Sequence, residues 1–363
     1  MSGLSMVIPC SPGASTCGYC SPPGERSETK SSYKSGSVIA VGPGLSCDVY
    51  QKMIDRGWRR SGTYCYKPDL KRSCCPQYTI KLDALKFKPS RSHRKLVYRW
   101  NRFILEGDSL DKMETDGVRI PRSDKQSNPP KRKTKGSNNA PFDLVSSLHE
   151  SERAFISDGK LSHIFEVTLE PSSYTDEKFA LYKKYQAEIH FDFDNVPSGF
   201  KRFLVESPLQ HEPIAYPSTR PEHLPSTYGS YHQLYRVDGK LIAMGVIDIL
   251  PGCVSSVYFM YDKEWEKFSM GKLSAMRETT LARELHDAGI SGLDSMYMGF
   301  YIHSCQKMRY KADYSPSYLA DPEEYTWYPL DKCVPLLEDN RYACFAHPER
   351  SIPHGASILA SKS

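Results

Sequence analysis

Cys17-Gly-Tyr-Cys20 and Cys74-Cys75 place four thiols in two tight pairs far apart in the chain. Thiolates at such spacing grip one metal from a turn, and a second pair closes the coordination shell. The N-terminal region therefore has to fold back on itself around a metal or iron–sulfur site. The chain holds eleven cysteines in all. An odd count argues against a disulfide framework, as does the absence of a secretory pattern in Met1–Pro9. No stretch approaches the length of an apolar membrane span. The chain is expected in the cytoplasm or nucleus, with no membrane partner.

At 363 residues, two units with a connecting segment are the natural expectation. Residues 1–105 hold seven of the cysteines and many Arg, Lys and Tyr, and read as a basic Cys-rich domain. Residues 106–155, with Lys131-Arg-Lys-Thr-Lys135, have the composition of a flexible basic linker. A second domain is expected over 156–345 and a disordered tail over 346–363. In that second domain the periodicity predicts a strand at His163–Leu169 and a helix capped by Thr175. Two strands, Ser230–Val237 and Lys240–Leu250, follow, joined by an Asp238-Gly239 turn. After them come a strand at Val254–Tyr261, a helix from about Lys272 to Ala288, and a strand at Ser295–Ile302. This order is that of the acetyltransferase-like GNAT fold. The expected class is α+β: a Cys-rich metal- or cluster-binding domain followed by a GNAT-like domain with a mixed sheet.

Along Lys240–Leu250 the row Ile242, Met244, Val246, Asp248, Leu250 carries one carboxylate among apolar residues. Burying it unpaired is costly, so Asp248 is either a site residue or the partner of an arginine. A two-residue turn pairs Val237 with Lys240, sets Gln233 against Met244 and Tyr231 against Val246, and puts Tyr231 on the face of Asp248. His232 falls on the other face unless a bulge brings it round. On the next strand Ser256 and Tyr258 share a face. The catalytic candidates are thus Asp248, His232, Tyr231 and Ser256. Gln233 and Tyr258 join His303, Lys307 and Arg309, from the rim Tyr301–Lys311, as candidates for substrate binding. Arg59, Arg60, Arg91, Arg94, Lys95, Arg99 and Arg102 make the basic stretches suited to RNA phosphates. No P-loop, Rossmann glycine signature, hydrolase elbow or zincin motif occurs. Phe268-Ser-Met-Gly271 lacks the glycine-rich loop for the pyrophosphate of coenzyme A, so neither a nucleotide cofactor nor coenzyme A is expected.

On these residues the chain resembles the arginyl-tRNA protein transferases, the eukaryotic R-transferases of the N-degron pathway. The resemblance rests on Cys17-Gly-Tyr-Cys20, Asp55-Arg-Gly-Trp-Arg-Arg-Ser-Gly62, Cys74-Cys-Pro-Gln-Tyr-Thr-Ile80, Gly229-Ser-Tyr-His-Gln233, Gly245-Val-Ile-Asp-Ile-Leu-Pro251 and Met298-Gly-Phe-Tyr-Ile-His-Ser-Cys305. It implies an iron–sulfur cluster or zinc on Cys17, Cys20, Cys74 and Cys75. It also implies transfer of arginine from charged tRNA to proteins with N-terminal Asp or Glu, which marks them for degradation; DNA is not an expected partner. An aminoacyl ester is already activated and the acceptor amine, with a pKa of about 8, is partly neutral, so at most one base is needed. Asp248 or His232 is expected in that role, with Asp248 preferred as the carboxylate that receives the donor's guanidinium. Rival readings are a binding adaptor without turnover and a coenzyme A dependent acetyltransferase.

Overall fold

A computed structural model describes residues 4–22, 25–107, 142–156 and 161–356. The Lys131–Lys135 basic run lies outside them. An N-terminal five-stranded sheet is built on the long strand Lys30–Val41, which pairs with Met6–Pro9, Ala14–Thr16 and Tyr64–Pro68; the last pairs in turn with Arg59–Ser61. The helix Cys47–Asp55 starts at Ser46, whose hydroxyl accepts the Val49 amide, and buries Cys47, Tyr50 and Ile54.

The second sheet has nine strands and is mixed. From one edge its order is Trp327–Pro329, Ser317–Ala320, Tyr78–Asp83, Ser295–Tyr301, Cys253–Tyr261, Lys240–Leu250, Thr227–Val237 and Phe165–Pro171, with Glu212–Pro213 pairing Thr227–Val237. All its pairs are antiparallel except Cys253–Tyr261 with Ser295–Tyr301. Tyr78–Asp83, from the Cys-rich third, lies inside this sheet. The helix Arg91–Glu106 sinks Leu96, Val97, Trp100, Phe103 and Ile104 into a core that also contains Met270, Leu273 and Met276 from the helix Met270–Asp287. The expected boundary near residue 105 therefore does not separate two cores: a strand and a helix that precede it in sequence complete the second sheet and its packing.

Local chemistry explains the elements that were foreseen. Thr175 caps the helix Asp176–Tyr185 by accepting the Lys178 amide. Asp238 and Gly239 both take positive φ, 50° and 80°, as a type I′ hairpin requires, and Asp238 is held there by accepting the Ile164 amide at 2.8 Å. Ser90 and His93 form a reciprocal cap at the start of Arg91–Glu106.

Two expectations are corrected. Residues 142–156, assigned to the linker, are folded: the helix Leu144–His149 buries Leu144 and Leu148, and Asn101 donates to the Ser147 carbonyl at 2.7 Å. The start of the expected tail is ordered as well, since Ile352–Pro353 pairs with Asn340–Tyr342.

Candidate active site

Cys17, Cys20, Cys74 and Cys75 converge, with their four sulfurs all within 4.8 Å of one another. The strand Lys30–Val41 is the splint. Ala14–Thr16 pairs along it, and on it the Ser31 carbonyl accepts the Cys74 amide at 2.9 Å. Tetrahedral metal–sulfur bonds of about 2.3 Å place ligand sulfurs ~3.8 Å apart, and Cys20 and Cys74 sulfurs lie at 3.8 Å. The donor set thus fits a metal ion and, with four thiolates, leaves no open coordination position. Ile302 and Cys305 pack directly on Cys17 and Cys75, with Met308 against the same cluster.

Beside this cluster lies a cavity of about 520 Å3. Its origin is in the sheet. The parallel strands Cys253–Tyr261 and Ser295–Tyr301 pair at only three positions, ending with Ser255 and Tyr297. Beyond that point Ser295–Tyr301 bulges against its other neighbour, between Tyr297 and Phe300, where Gly299 adopts a φ of +78° closed to most side chains. Residues beyond the split on both strands, among them Ser256, Tyr258, Met298 and Gly299, line the cavity. Tyr19, between the first two cysteines, and Met308 line it too, so the metal site and the cavity share a wall.

The hairpin register differs from the simple two-residue alignment. A bulge between Leu241 and Ala243 shifts the ladder by one residue, so Ser230 faces Asp248, His232 faces Val246, and Tyr231 faces Ile247. His232 and Ser230 come onto the face of Asp248, and Tyr231 leaves it. A second bulge, between Val246 and Ile247, sets Ser255 opposite Asp248.

Asp248 is fully buried and closed off. Arg60 donates to both its oxygens, Nε to Oδ2 at 2.8 Å and Nη2 to Oδ1 at 2.7 Å, and Ser230 Oγ donates to Oδ1 at 2.6 Å. This bidentate pair is the match expected for a substrate guanidinium, but the guanidinium is the protein's own. Asp248 is therefore not the donor's receptor. Arg60, expected on RNA, is buried with it, and Arg59 is buried beside it, donating to the carbonyls of Ile54, Trp58 and Gly299. Both arginines border the cavity, where Arg60 Nη1 and Arg59 Nε have no hydrogen-bond partner among the described residues.

His232 is also corrected as a base. It is fully buried and does not line the cavity. Nε2 meets the Leu204 carbonyl at 2.9 Å and Nδ1 meets Lys178 Nζ at 3.1 Å, so the network assigns the proton to Nε2 and commits the Nδ1 lone pair to the ammonium. Burial pulls its pKa down to about 4. Tyr231 donates to the Thr227 carbonyl and packs in a different core cluster. Gln233 accepts from the Tyr235 hydroxyl and borders another cleft with Glu152 and Arg277.

Of the remaining expectations, Ser256, Tyr258 and Lys307 line the cavity. Arg309 is exposed and His303, half-buried, bonds the Tyr301 hydroxyl at 3.0 Å; neither lines it. On Arg91–Glu106 the apolar stripe faces inward, leaving Arg91, Arg94, Lys95 and Arg99 exposed around Tyr98, with Arg102 half-exposed and paired to Glu106. Arg99 reaches the Lys267 carbonyl at 2.6 Å.

Two residues in the cavity were missed. Glu278, on Met270–Asp287, is buried; Ser274 Oγ donates to its Oε1 at 2.9 Å, the Ser256 hydroxyl is near, and Oε2 has no hydrogen-bond partner among the described residues. Burial raises its pKa to about 7. Its signal was in the sequence: Ser274, Glu278, Leu281 and Leu285 follow helical spacing on the buried face. Lys311 is buried as well, donating to the Phe300 carbonyl, and burial together with the nearby Arg59 lowers its pKa to about 7. The cavity thus has a carboxylate in one part and, around Arg59, Arg60 and Lys311, a cationic part.

The sequence was also compared with known proteins. The profile "Arginine-tRNA-protein transferase, N terminus" matches residues 15–95 and "Arginine-tRNA-protein transferase, C terminus" matches residues 177–321. Arginyl-tRNA--protein transferase 1 of Drosophila melanogaster is 34% identical, across 93% of this chain and 85% of that one. Arginyl-tRNA--protein transferase 2 of Arabidopsis thaliana is 28% identical, across 99% and 81%. An aspartate/glutamate leucyltransferase of Pseudomonas fluorescens is 24% identical, across 75% and 80%. Among solved structures, the C-terminal domain of a lysylphosphatidylglycerol synthetase from Agrobacterium fabrum aligns over 71% of this chain and 53% of that one, with 12% identity and a TM-score of 0.28, too loose a likeness to bear on the fold.

Proposed function

The chain belongs to the arginine-tRNA-protein transferase family, enzymes that move arginine from tRNA to proteins, and on that premise we propose that the cavity at the strand split is where the transfer occurs. The observation that carries this reading is the charge layout: the reaction joins a cationic donor residue to an acceptor with an N-terminal acid, and the cavity offers both signs unpaired with each other. The bacterial relative named for aspartate and glutamate supports an acidic acceptor. Lys311, with Arg59 and the free edge of Arg60, receives that side-chain carboxylate, and Lys307 stands at the rim. The strand order and the split between two parallel strands support the GNAT-like reading of the larger sheet.

The ester needs little chemical help. Holding the acceptor amine against the acyl carbon supplies most of the rate. Beyond Ser255 the edge of Cys253–Tyr261 that faces Ser295–Tyr301 has no strand partner among the described residues, while the other edge stays paired with Lys240–Leu250, so amides on the open edge can face the developing oxyanion. Exposed Arg91, Arg94 and Lys95 meet tRNA phosphates. The spread of the four sulfurs supports a single tetrahedral ion over a polynuclear cluster, which would hold its thiolates further apart; with an ion bound, Cys17, Cys20, Cys74 and Cys75 would hold Tyr19 and the packed Ile302, Cys305 and Met308 against the cavity. The proposed setting is the marking of acceptors for degradation, in the cytoplasm or nucleus. No helix among the described residues is long and apolar enough to cross a membrane.

The test is transfer of labelled arginine from charged tRNA to peptides beginning with Asp, Glu or Ala, with and without ribonuclease. Ribonuclease-sensitive labelling of the Asp and Glu peptides is expected. Binding of these peptides without any labelling overturns the reading. Lys311→Met should raise KM for the acidic peptides and shrink their preference over Ala.

A further inference from the structure

We propose that the Glu278 carboxylate is the subsite for the guanidinium of the donor arginine, and so the residue by which this enzyme selects arginine over neutral side chains. The inference rests on the transferase reading above.

The other interior carboxylates set the contrast, because each is satisfied within the fold: Asp321, which has no cationic partner among the described residues, accepts four backbone amides, and the rest have cations. Asp248 has Arg60; Glu152 and Glu284 share Arg277, at 3.0 Å each, and both contact His149. Asp262 takes Lys184 at 2.7 Å. Each of these pairs offsets the cost of removing a charge from water. Glu278, equally buried, has no cationic partner among the described residues. Yet it borders the cavity in which the ester must react.

Asp248 also supplies a template. There a serine hydroxyl, Ser230 Oγ, fixes the carboxylate and an arginine completes it. At Glu278 the serine is present, Ser274 Oγ, and Oε2 is left without a partner, while no arginine of the protein arrives. A substrate guanidinium would complete the same set. It is planar and always charged, and it pairs with a carboxylate through two parallel hydrogen bonds. Phe259 and Tyr310 line the same cavity and offer rings on which its plane can stack.

Selectivity follows from the desolvated setting. Burial resists ionisation of Glu278, raising its pKa to about 7. Arginine offsets that ionisation with its own charge. A neutral side chain of the same shape leaves either a buried charge or a lost pair of hydrogen bonds, so it is rejected.

The experiment compares tRNA charged with arginine and tRNA charged with citrulline, its neutral ureido isostere, as donors to an acidic peptide. The wild type should prefer arginine by at least ~100-fold in kcat/KM. Glu278→Gln keeps the shape and the Ser274 contact, and should bring the two donors within a few-fold, chiefly by raising KM for arginyl-tRNA. Glu278→Asp keeps the charge and should retain the preference at lower kcat/KM. A Gln variant that still prefers arginine as strongly as the wild type overturns the proposal. So does a Gln variant in which both donors fall by one common factor in kcat, which is the signature of a general base, or an Asp variant that loses the preference. Wild-type protein that transfers no arginine at all overturns the transferase reading on which this proposal rests, whereas the variant outcomes above, obtained with an active wild type, overturn this proposal alone.

Discussion

Asp248 and Glu278 are two carboxylates of equal burial with opposite fates. Asp248 sits where the hairpin meets the N-terminal sheet and is filled by an arginine from 188 residues earlier in the chain. Glu278 borders the place where two parallel strands part and meets serine hydroxyls but no cation, with Oε2 left without a hydrogen-bond partner among the described residues. Burial alone therefore does not mark a binding group. A buried acid satisfied by a counter-charge, or by backbone amides as Asp321 is, serves as a fastener; one left with neither is available to a ligand.

The largest expected effect lies on the fastener. Asp248→Asn leaves the Arg60 guanidinium buried without a carboxylate, and should cost about 3–5 kcal/mol in urea denaturation. Its loss of arginine transfer should not be cured by saturating arginyl-tRNA. Replacing both partners together, Arg60→Met with Asp248→Leu, should recover most of the lost stability, because the desolvation cost then disappears from both sides. An unchanged denaturation midpoint in Asp248→Asn would erase the distinction between the two acids.

A smaller effect with the opposite sign is expected at Glu278. Its folded pKa of about 7 lies above the ordinary glutamate value of 4.5. The folded state thus holds the proton more tightly than the unfolded chain. The stability that this contributes is complete below the ordinary value and is lost as pH rises through about 7. Glutamine has nothing to lose. Glu278→Gln should therefore gain on the wild type by about 2 kcal/mol between pH 5 and pH 8, measured without substrate by denaturation at both values. A pH-independent difference would mean that the carboxylate is paired after all.

Much of this was legible in the sequence. The caps, the Asp238-Gly239 turn and the alternation along Lys240–Leu250 are local signals, and local signals fixed the strands, the helices and their order. The cysteine pairs announced their convergence because thiols at such spacing have few other uses. Other features depended on long-range events. The bulge at Ile242 moved His232 and Tyr231 to exchanged faces, and bulges leave no clear mark in a run as apolar as Lys240–Leu250. Entry of Tyr78–Asp83 into the second sheet is a pairing across more than two hundred residues, out of reach of periodicity. Glu278 was visible as a charge on an apolar helix face. What the sequence did not reveal was that the arginine suited to an aspartate on one strand would come from Arg60, leaving the helix acid alone.

The smallest effects, and the last way to sharpen the comparison, concern the cations. Arg59 and Arg60 stand inside, while Arg91, Arg94 and Lys95 stand outside on one face of Arg91–Glu106. The stripe Leu96, Val97, Trp100, Phe103 and Ile104 holds that helix in place, so its outer face is free to change. Alanine at Arg91, Arg94 or Lys95 should shift stability by no more than about 0.5 kcal/mol. If these residues meet tRNA phosphates, each substitution should weaken binding of charged and uncharged tRNA alike and reduce the slope of log affinity against log salt by roughly one. Glu278→Gln should leave the affinity for uncharged tRNA and that slope unchanged, since its partner is the amino acid and not the phosphate chain. A triple alanine variant with an undiminished salt slope would move the RNA surface off this helix.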